Sequence, residues 1–143
     1  MSRLVGYIQE LADSLEDWER YRKIPAARFQ TDRDTRNMVL HAMLLAIQSA
    51  IDIATEVIVL KAYKRPASYR ETFGILEANG ILTRDLARPL SNLAGFRNVL
   101  VHVYWDIDLV QVYAILQRDL PVLQEFLKEM KTFARTRYDR GDA

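Results

Sequence analysis

The longest apolar stretch of the chain, residues 34–63, reads DTRNMVLHAMLLAIQSAIDIATEVIVLKAY. Its apolar residues recur at spacings of three and four, but they occupy most of the circumference of a helix rather than one stripe. They are Val39, Leu40, Met43, Leu44, Ile47, Ile51, Ala54, Val57 and Ile58. A helix of this kind belongs in the middle of a helical bundle or at an interface between chains. The stretch therefore predicts an all-α fold built around one long helix.

A first helix is predicted before this stretch. It carries a single apolar stripe, because apolar residues recur at alternating spacings of four and three, and Pro25 prevents its continuation. The stripe comprises Leu4, Ile8, Leu11, Leu15 and Trp18. Between the two helices, Thr31, Asp32 and Asp34 offer side-chain oxygens that can cap the long helix.

Three more helices are predicted after the long one. Residues 68–71, SYRE, form a capping-box pattern, and Asn79-Gly80 supplies a stop signal for a short third helix. Thr83 can cap a fourth helix that Pro89 should bend, and Asp108 opens a fifth that Pro121 should kink. We therefore expect an antiparallel, up-and-down bundle of about five helices in residues 1–131. Residues 132–143 are polar and are expected to form a flexible C-terminal tail.

Composition narrows the class of protein. A chain of 143 residues, with 50% apolar and 27% charged residues, fits one soluble globular domain. Cysteine is absent, which excludes disulfides and thiolate chemistry and fits a cytoplasmic location. The N-terminal stretch contains Glu10 and Asp13 and does not resemble a signal peptide, and no run of 18 apolar residues predicts a membrane span. No spacing of histidines or carboxylates predicts a metal site, and no cofactor is expected.

The net charge of +1 does not by itself indicate a nucleic-acid partner, but the basic residues are clustered. One group lies in the first connection and a second group follows the long helix. These groups either attract a phosphate backbone or form a solvated surface around helix ends. The groups are Arg20, Arg22, Lys23, Arg28, Arg33 and Arg36, and Lys61, Lys64 and Arg65.

Residues 97–104, RNVLVHVY, carry the strongest chemical signal. Arg97 supplies a permanent cation that can hold a phosphate, and His102 supplies a side chain that titrates near neutrality. Residues 36–41 repeat the Arg-Asn-x3-His spacing, but they lie inside the long apolar helix, where His41 is expected to be a packed or hydrogen-bonded core residue. Only the second copy adds a tyrosine, Tyr104, two residues after the histidine. We therefore predict the site at the second copy.

These residue types can cleave RNA without a metal. His102 would act as general base or acid for the 2′-hydroxyl, and Arg97 would stabilise the charge that develops on the phosphate oxygens. Asn98 would fix the His102 tautomer or contact substrate, and Tyr104 would donate a hydrogen bond to phosphate or stack on a base. The alternative is a structural helix end in which Arg97 pairs with Asp106 or Asp108.

Helix geometry limits how Arg97 and His102 can cooperate. A helix advances about 100° per residue, so two residues five apart point about 140° away from each other. Either the helix unwinds near His102, or the site combines residues from two chains.

The motif Arg97-x4-His102-x-Tyr104 resembles that of the HepT-type toxins of the HEPN family. Phe96 before the arginine and the segment Asp106-Ile107-Asp108 agree with this resemblance, which covers roughly residues 1–130. It implies a HEPN-like helical domain that acts as an endoribonuclease toxin and forms a homodimer with a composite site. It further implies neutralisation by a small nucleotidyltransferase antitoxin of the MNT type, which adds adenylyl groups to Tyr104.

Two carboxylates of the long helix, Asp52 and Glu56, are also candidate site residues. They are four residues apart, and buried carboxylates need a partner, so they either support the Arg97 guanidinium or face solvent. The alternative function is a non-catalytic HEPN-like subunit that binds nucleotide or docks a nucleotidyltransferase. In that case the motif would hold a phosphate without cleaving RNA.

Overall fold

The computed structural model describes residues 2–102 and 106–141, with Ser2 and His102 described by their backbone alone. Within these ranges the chain forms seven α-helices and no β-strand, which confirms the all-α class. The helices are α1 (Ser2–Tyr21), α2 (Ala26–Thr31), α3 (Arg33–Leu60), α4 (Tyr69–Ala78), α5 (Arg84–His102), α6 (Leu109–Arg118) and α7 (Leu120–Asp139).

The long apolar helix, α3, lies at the centre of the fold. It packs against α1, α2, α4, α5 and α7, which explains why residues on most of its sides are apolar. One stripe, which includes Met38, His41, Gln48, Asp52 and Val59, remains partly or fully exposed. By length and composition α3 could cross a membrane, and 56% of its most apolar 18-residue window is buried inside the structure.

The predicted signals of α4 and of the start of α5 fall where these helices begin and end, whereas Asp32 is the N-cap residue of α3 without a side-chain cap hydrogen bond. Ser68 Oγ accepts a hydrogen bond from the Glu71 N–H at 3.2 Å, and Glu71 Oε2 accepts one from the Ala67 N–H at 2.8 Å, so the capping box opens α4. The helix ends at Ala78, and Gly80 adopts a φ of 73°, a conformation that favours glycine. Thr83 Oγ1 accepts from the Leu86 N–H at 3.3 Å at the start of α5.

Two features of the chain differ from the predicted five helices. Residues 26–31 form the short helix α2, which places Phe29 in the core. The predicted fifth helix is two helices, α6 and α7, separated at Asp119. Pro121 lies in the first turn of α7, where its missing N–H breaks no helical bond, so it permits a new helix rather than a kink. The apolar spacing continues from Leu116 to Leu120, which hides the break in the sequence pattern.

The last helix extends beyond the boundary expected at residue 131. α7 continues to Asp139, because Phe133 and Ala134 extend its apolar face from Met130 and pack against the core. Residues 132–139 are therefore helical and belong to α7, which continues past the expected boundary at residue 131.

Three long-range hydrogen bonds join α6 to the region around the end of α1. Trp18, fully buried, donates its indole N–H to the Leu116 carbonyl at 2.8 Å. Gln117 donates to the Arg22 carbonyl at 2.7 Å, and the Tyr113 hydroxyl donates to the Ile24 carbonyl at 2.6 Å. Gln117 and Tyr113 thus satisfy carbonyls of the α1–α2 connection, and Trp18 satisfies a carbonyl in the last turn of α6.

Candidate functional site

Helix α5 carries the Arg-x4-His motif at its C-terminal end. Arg97 is half-buried, Asn98 is exposed, and the helix continues to His102. The backbone is therefore helical from Arg97 to His102, and these two positions diverge by about 140° around the helix axis. The His102 side chain and all of Tyr104 lie outside the described residues.

Two neighbouring helices hold the Arg97 guanidinium. Its Nε donates a hydrogen bond to Oε1 of Gln48 on α3 at 2.8 Å. Its Cζ lies 4.9 Å from the centroid of the Tyr69 ring at the start of α4, a cation–π contact. Its Nη1 donates to Asn98 Oδ1 at 3.3 Å. Because Nε and one face are engaged, the orientation of the guanidinium is fixed.

Gln48 also connects Arg97 to Asp52. Gln48 Nε2 donates to Asp52 Oδ1 at 2.9 Å, so one amide contacts the cation through its oxygen and the carboxylate through its nitrogen. Burial raises the pKa of the Asp52 carboxyl, and the Gln48 hydrogen bond and the Arg97 charge only partly oppose that increase. Among the described residues, Asp52 forms no direct ion pair with Arg97 and acts on it through Gln48.

Glu56 is half-buried one turn after Asp52, and it makes no hydrogen bond or ion pair with a described residue. The structure therefore connects Arg97, Asn98 and Asp52 by hydrogen bonds, directly or through Gln48, and Glu56 makes no such bond to a described residue.

Sequence reasoning missed Gln48 and Tyr69. Gln48 is detectable in principle, because it lies one turn before Asp52 on the same stripe of a helix that is otherwise apolar. Tyr69 has no such signal, since it approaches Arg97 only through the packing of α4 against α5.

The described residues do not show the alternative in which Arg97 pairs with Asp106 or Asp108 at a structural helix end. Asp108 caps α6, where its Oδ1 accepts from the N–H groups of Val110 and Gln111 at 3.0 and 3.2 Å. Neither Asp106 nor Asp108 forms an ion pair with Arg97 within the described ranges.

Arg36 and His41, which form the first copy of the Arg-Asn-x3-His spacing, do not have the core environment that was expected. His41 is exposed, not packed in the core, because it lies on the open stripe of α3. Arg36 donates to the Gln30 carbonyl at 2.8 Å, so its guanidinium supports the α2–α3 connection.

The Arg97 cluster consists of Arg97, Gln48, Asp52, Asn98 and Tyr69. A cavity of about 660 Å³ adjoins this cluster, between α3 and the segment that leads into α4. Tyr69 and Asn98 belong to both the cluster and the cavity wall. The walls include apolar side chains and hydroxyl groups, and Arg65 supplies a cation. The volume lies in the range of small-molecule sites.

The two basic groups differ in their contacts. In the first, Arg20, Arg22 and Arg28 form ion pairs with carboxylates within four residues in sequence. In the second, Lys61, Lys64 and Arg65 form no ion pair with any residue of 2–102 or 106–141. The second group, beside the cavity, is thus more available to a phosphate backbone.

No cluster of three or more His, Asp or Glu side chains suited to a metal ion occurs among the described residues. The cation that the described site offers is the guanidinium of Arg97.

Comparison with curated proteins finds two nucleases. An mRNA nuclease HepT of Shewanella oneidensis is 27% identical over 105 residues, which cover 73% of this chain and 79% of that protein. A tRNA nuclease HepT of Aphanizomenon flos-aquae is 33% identical over 100 residues, which cover 68% of this chain and 67% of that protein.

Solved structures share the fold. A tri-AMPylated HEPN toxin of Shewanella oneidensis, in complex with MNT antitoxin, matches with a TM-score of 0.83 and 22% identity over 92% of this chain and 98% of that one. YutE of Bacillus subtilis, a cytosolic protein of unknown function, matches with a TM-score of 0.73 and 19% identity over 90% of each chain.

A family model described as ribonuclease HepT-like matches residues 11–130. The match spans every helix that contributes to the Arg97 cluster, including Gln48 on α3 and Tyr69 on α4. Because this match covers most of the chain, including the start of the α5 motif at Arg97, the chain belongs to the HepT-like family of ribonucleases.

Proposed function

We propose that this chain is a cytoplasmic, metal-independent endoribonuclease toxin whose activity a partner nucleotidyltransferase controls. The observation that supports catalysis most directly is the fixed guanidinium of Arg97, held by Gln48 at 2.8 Å and by the Tyr69 ring. A preoriented cation stabilises charge that develops in a transition state without reorganising during the reaction. Family membership supports RNA as the substrate.

The proposed reaction needs a base, an acid and a cation. His102 removes the proton of the 2′-hydroxyl, and the resulting oxygen forms a bond to the adjacent phosphorus. Arg97 pairs with the non-bridging oxygens as negative charge increases on them. The bond from phosphorus to the 5′-oxygen breaks, and that oxygen takes a proton from a water molecule, whose hydroxide is reprotonated by the His102 imidazolium. The products are a 2′,3′-cyclic phosphate and a 5′-hydroxyl.

A homodimer is the simplest way to bring an arginine and a histidine of the motif onto one phosphate. Because α5 is helical to His102, Arg97 and His102 of one chain diverge, and a second motif can complete the cleft. Apolar side chains exposed on α3 and α5, Met38 at 41% and Val101 at 38%, offer surface for that association.

Control by a nucleotidyltransferase of the MNT type acts at Tyr104 in this proposal. Each adenylyl group attached to the phenol adds a phosphodiester with one negative charge, which can pair with Arg97 in place of RNA. The solved complex of a tri-AMPylated HEPN toxin with MNT antitoxin supports this control by analogy. Incubation with the cognate transferase and ATP should add mass in AMP-sized units to wild type and none to Tyr104→Phe.

Purified variants test catalysis. Arg97→Ala and His102→Ala should abolish RNA cleavage with unchanged helicity, and excess EDTA should leave wild-type cleavage intact. His41→Ala is the matched control, since it alters the other histidine at the same spacing from an arginine. Inhibition by EDTA contradicts the metal-independent mechanism. A wild-type protein that binds nucleotide but cleaves no RNA indicates the non-catalytic docking subunit instead.

A further inference from the structure

We infer that the cavity between α3 and α4 is a binding site for one nucleobase of the RNA, next to the phosphate held by Arg97. The inference rests on the proposed ribonuclease function and adds a subsite to it. Two residues connect the sites directly: Asn98 accepts a hydrogen bond from Arg97, Tyr69 contacts the Arg97 guanidinium, and both line the cavity. A nucleotide whose phosphate reaches Arg97 therefore has its base within reach of this cavity.

The wall chemistry matches a base more closely than a sugar or a phosphate. Ile58, Val59 and Pro66 supply apolar surface that a planar ring can contact. The Asn98 amide can donate to and accept from the edge of a base, which is how single-stranded RNA is read. About 660 Å³ is ample for one nucleotide.

Charge at the rim favours an RNA strand as the source of that base. Arg65 lines the cavity and forms no ion pair with a described residue, and Lys61 and Lys64 belong to the same connection. A strand whose base enters the cavity thus has two cations nearby: Arg65 in the cavity wall and Arg97, which contacts the wall residues Tyr69 and Asn98. Phosphates on either side of the base can be neutralised in this arrangement.

Binding of small probes tests the site without depending on cleavage. The probes are the four ribonucleoside 5′-monophosphates and ribose 5-phosphate. Their binding is measured by NMR from the methyl resonances of Ile58 and Val59. We expect at least one monophosphate to shift these resonances and to bind roughly tenfold or more tightly than ribose 5-phosphate, since only the monophosphate presents a base to the cavity walls. Equal binding of ribose 5-phosphate and every monophosphate overturns the inference.

A matched pair of double variants tests the location. Thr55→Leu/Ala67→Leu places bulk in the cavity without changing charge. Thr132→Leu/Ala78→Leu is the control, since Thr132, like Thr55, donates to the carbonyl four residues earlier and Ala78, like Ala67, is exposed. The first pair should lose the preference for monophosphate over ribose 5-phosphate, and the control should keep it. Retention of the preference by the first pair overturns the inference.

Cleavage then separates this inference from the proposed function. An RNA cut by the wild type is compared with the same RNA made abasic on either side of the cut. Cleavage that is insensitive to both abasic positions leaves the ribonuclease intact and contradicts the subsite. Specific binding of monophosphates without cleavage of any RNA supports the base site and contradicts the ribonuclease.

Discussion

Gln48 shows how one neutral side chain can orient a cation. A primary amide has both an acceptor and donors, so Gln48 binds Arg97 through its oxygen and Asp52 through its nitrogen. A carboxylate at this position would neutralise part of the charge that the phosphate needs. The amide fixes the Arg97 orientation and leaves its charge available.

Gln48→Leu should therefore impair catalysis more than folding. Loss of the acceptor frees Arg97 Nε, and misplacement by about 1 Å can cost about 100-fold in rate. We expect kcat to fall by about 10- to 100-fold with little change in KM. Steady-state kinetics on one RNA measures both constants.

A matched glutamine separates positioning from stability. Gln117 is also half-buried and also bridges two elements, by donating to the Arg22 carbonyl at 2.7 Å. Gln117→Leu should lower the melting temperature but keep kcat per folded molecule. Equal kcat for Gln48→Leu and wild type would show that Gln48 has no part in orienting Arg97.

Asp52 predicts a pH dependence of stability. Its pKa in the folded state lies above the ordinary value of 3.8, chiefly because burial disfavours the charged form. The folded state therefore binds the proton more tightly than the unfolded state. The destabilising effect of ionised Asp52 is absent below pH 3.8. It develops as the pH rises from 3.8 to the raised pKa of the folded state, and it is complete above that pKa.

Asp52→Asn should remove this effect. Urea unfolding should give the variant a higher midpoint than wild type at neutral pH, and the two midpoints should converge as pH falls below 3.8. A variant that is less stable than wild type at neutral pH would mean that attraction to Arg97 outweighs desolvation.

Individual residues differ in how far the sequence reveals them. Arg97, Asn98 and Asp52 could be selected because charge and spacing mark them within apolar helices. The contact of Tyr69 with Arg97 depends on tertiary packing, so no periodic pattern in the sequence predicts it. His41 was assigned to the core because most of α3 is apolar, but its exposure depends on which narrow stripe the neighbouring helices leave open.

Helix starts were the most predictable elements, and Asp108 gives a direct test. Asp108→Ala should lower the free energy of unfolding by about 1 kcal/mol, because two N–H groups of α6 lose their acceptor. Asp108→Asn should restore most of the loss, since an amide oxygen can cap the same groups. Urea titration measures both, and an unchanged free energy for Asp108→Ala would contradict the role of the cap.

The division between α6 and α7 was the least predictable element. Apolar spacing reports which face is buried, and it continues across Asp119 without interruption. The break depends on the local backbone conformation at Asp119. This residue is buried, and its carboxylate accepts a hydrogen bond from the Arg118 guanidinium at 3.0 Å. Periodicity alone cannot distinguish a kinked helix from two helices that share one buried face.

At the scale of the whole molecule, mixing two inactive variants tests the composite site. If Arg97 of one chain acts with His102 of the other, a mixed dimer of Arg97→Ala and His102→Ala chains contains one intact site. After unfolding and refolding together, roughly a quarter of wild-type activity should return, because half of the dimers are mixed and each has one of two sites intact. Activity that stays absent in a mixture of confirmed dimers would assign both residues to one chain.

Sedimentation tests the dimer itself, with Val101→Arg as the disrupting change. Val101 precedes His102 and is 38% exposed, and arginine there should prevent apolar association. Val5→Arg is the control, because Val5 is also exposed but lies on α1. Wild type and Val5→Arg should sediment at twice the mass of the 16.6 kDa chain, and Val101→Arg at once that mass. A wild-type monomer at micromolar concentration would contradict the dimer.

The bonds from Trp18 to Leu116, from Gln117 to Arg22 and from Tyr113 to Ile24 also bear on the order of events during synthesis. Their partners are separated by 89 to 98 residues. The connection between α1 and α2 therefore cannot satisfy its carbonyl groups with these side chains until the ribosome has made α6, and a growing chain that already contains Arg97 still lacks this support. The complete fold therefore forms only after α6 has been translated, and we expect unfinished chains that end before α6 to lack a stable nuclease fold.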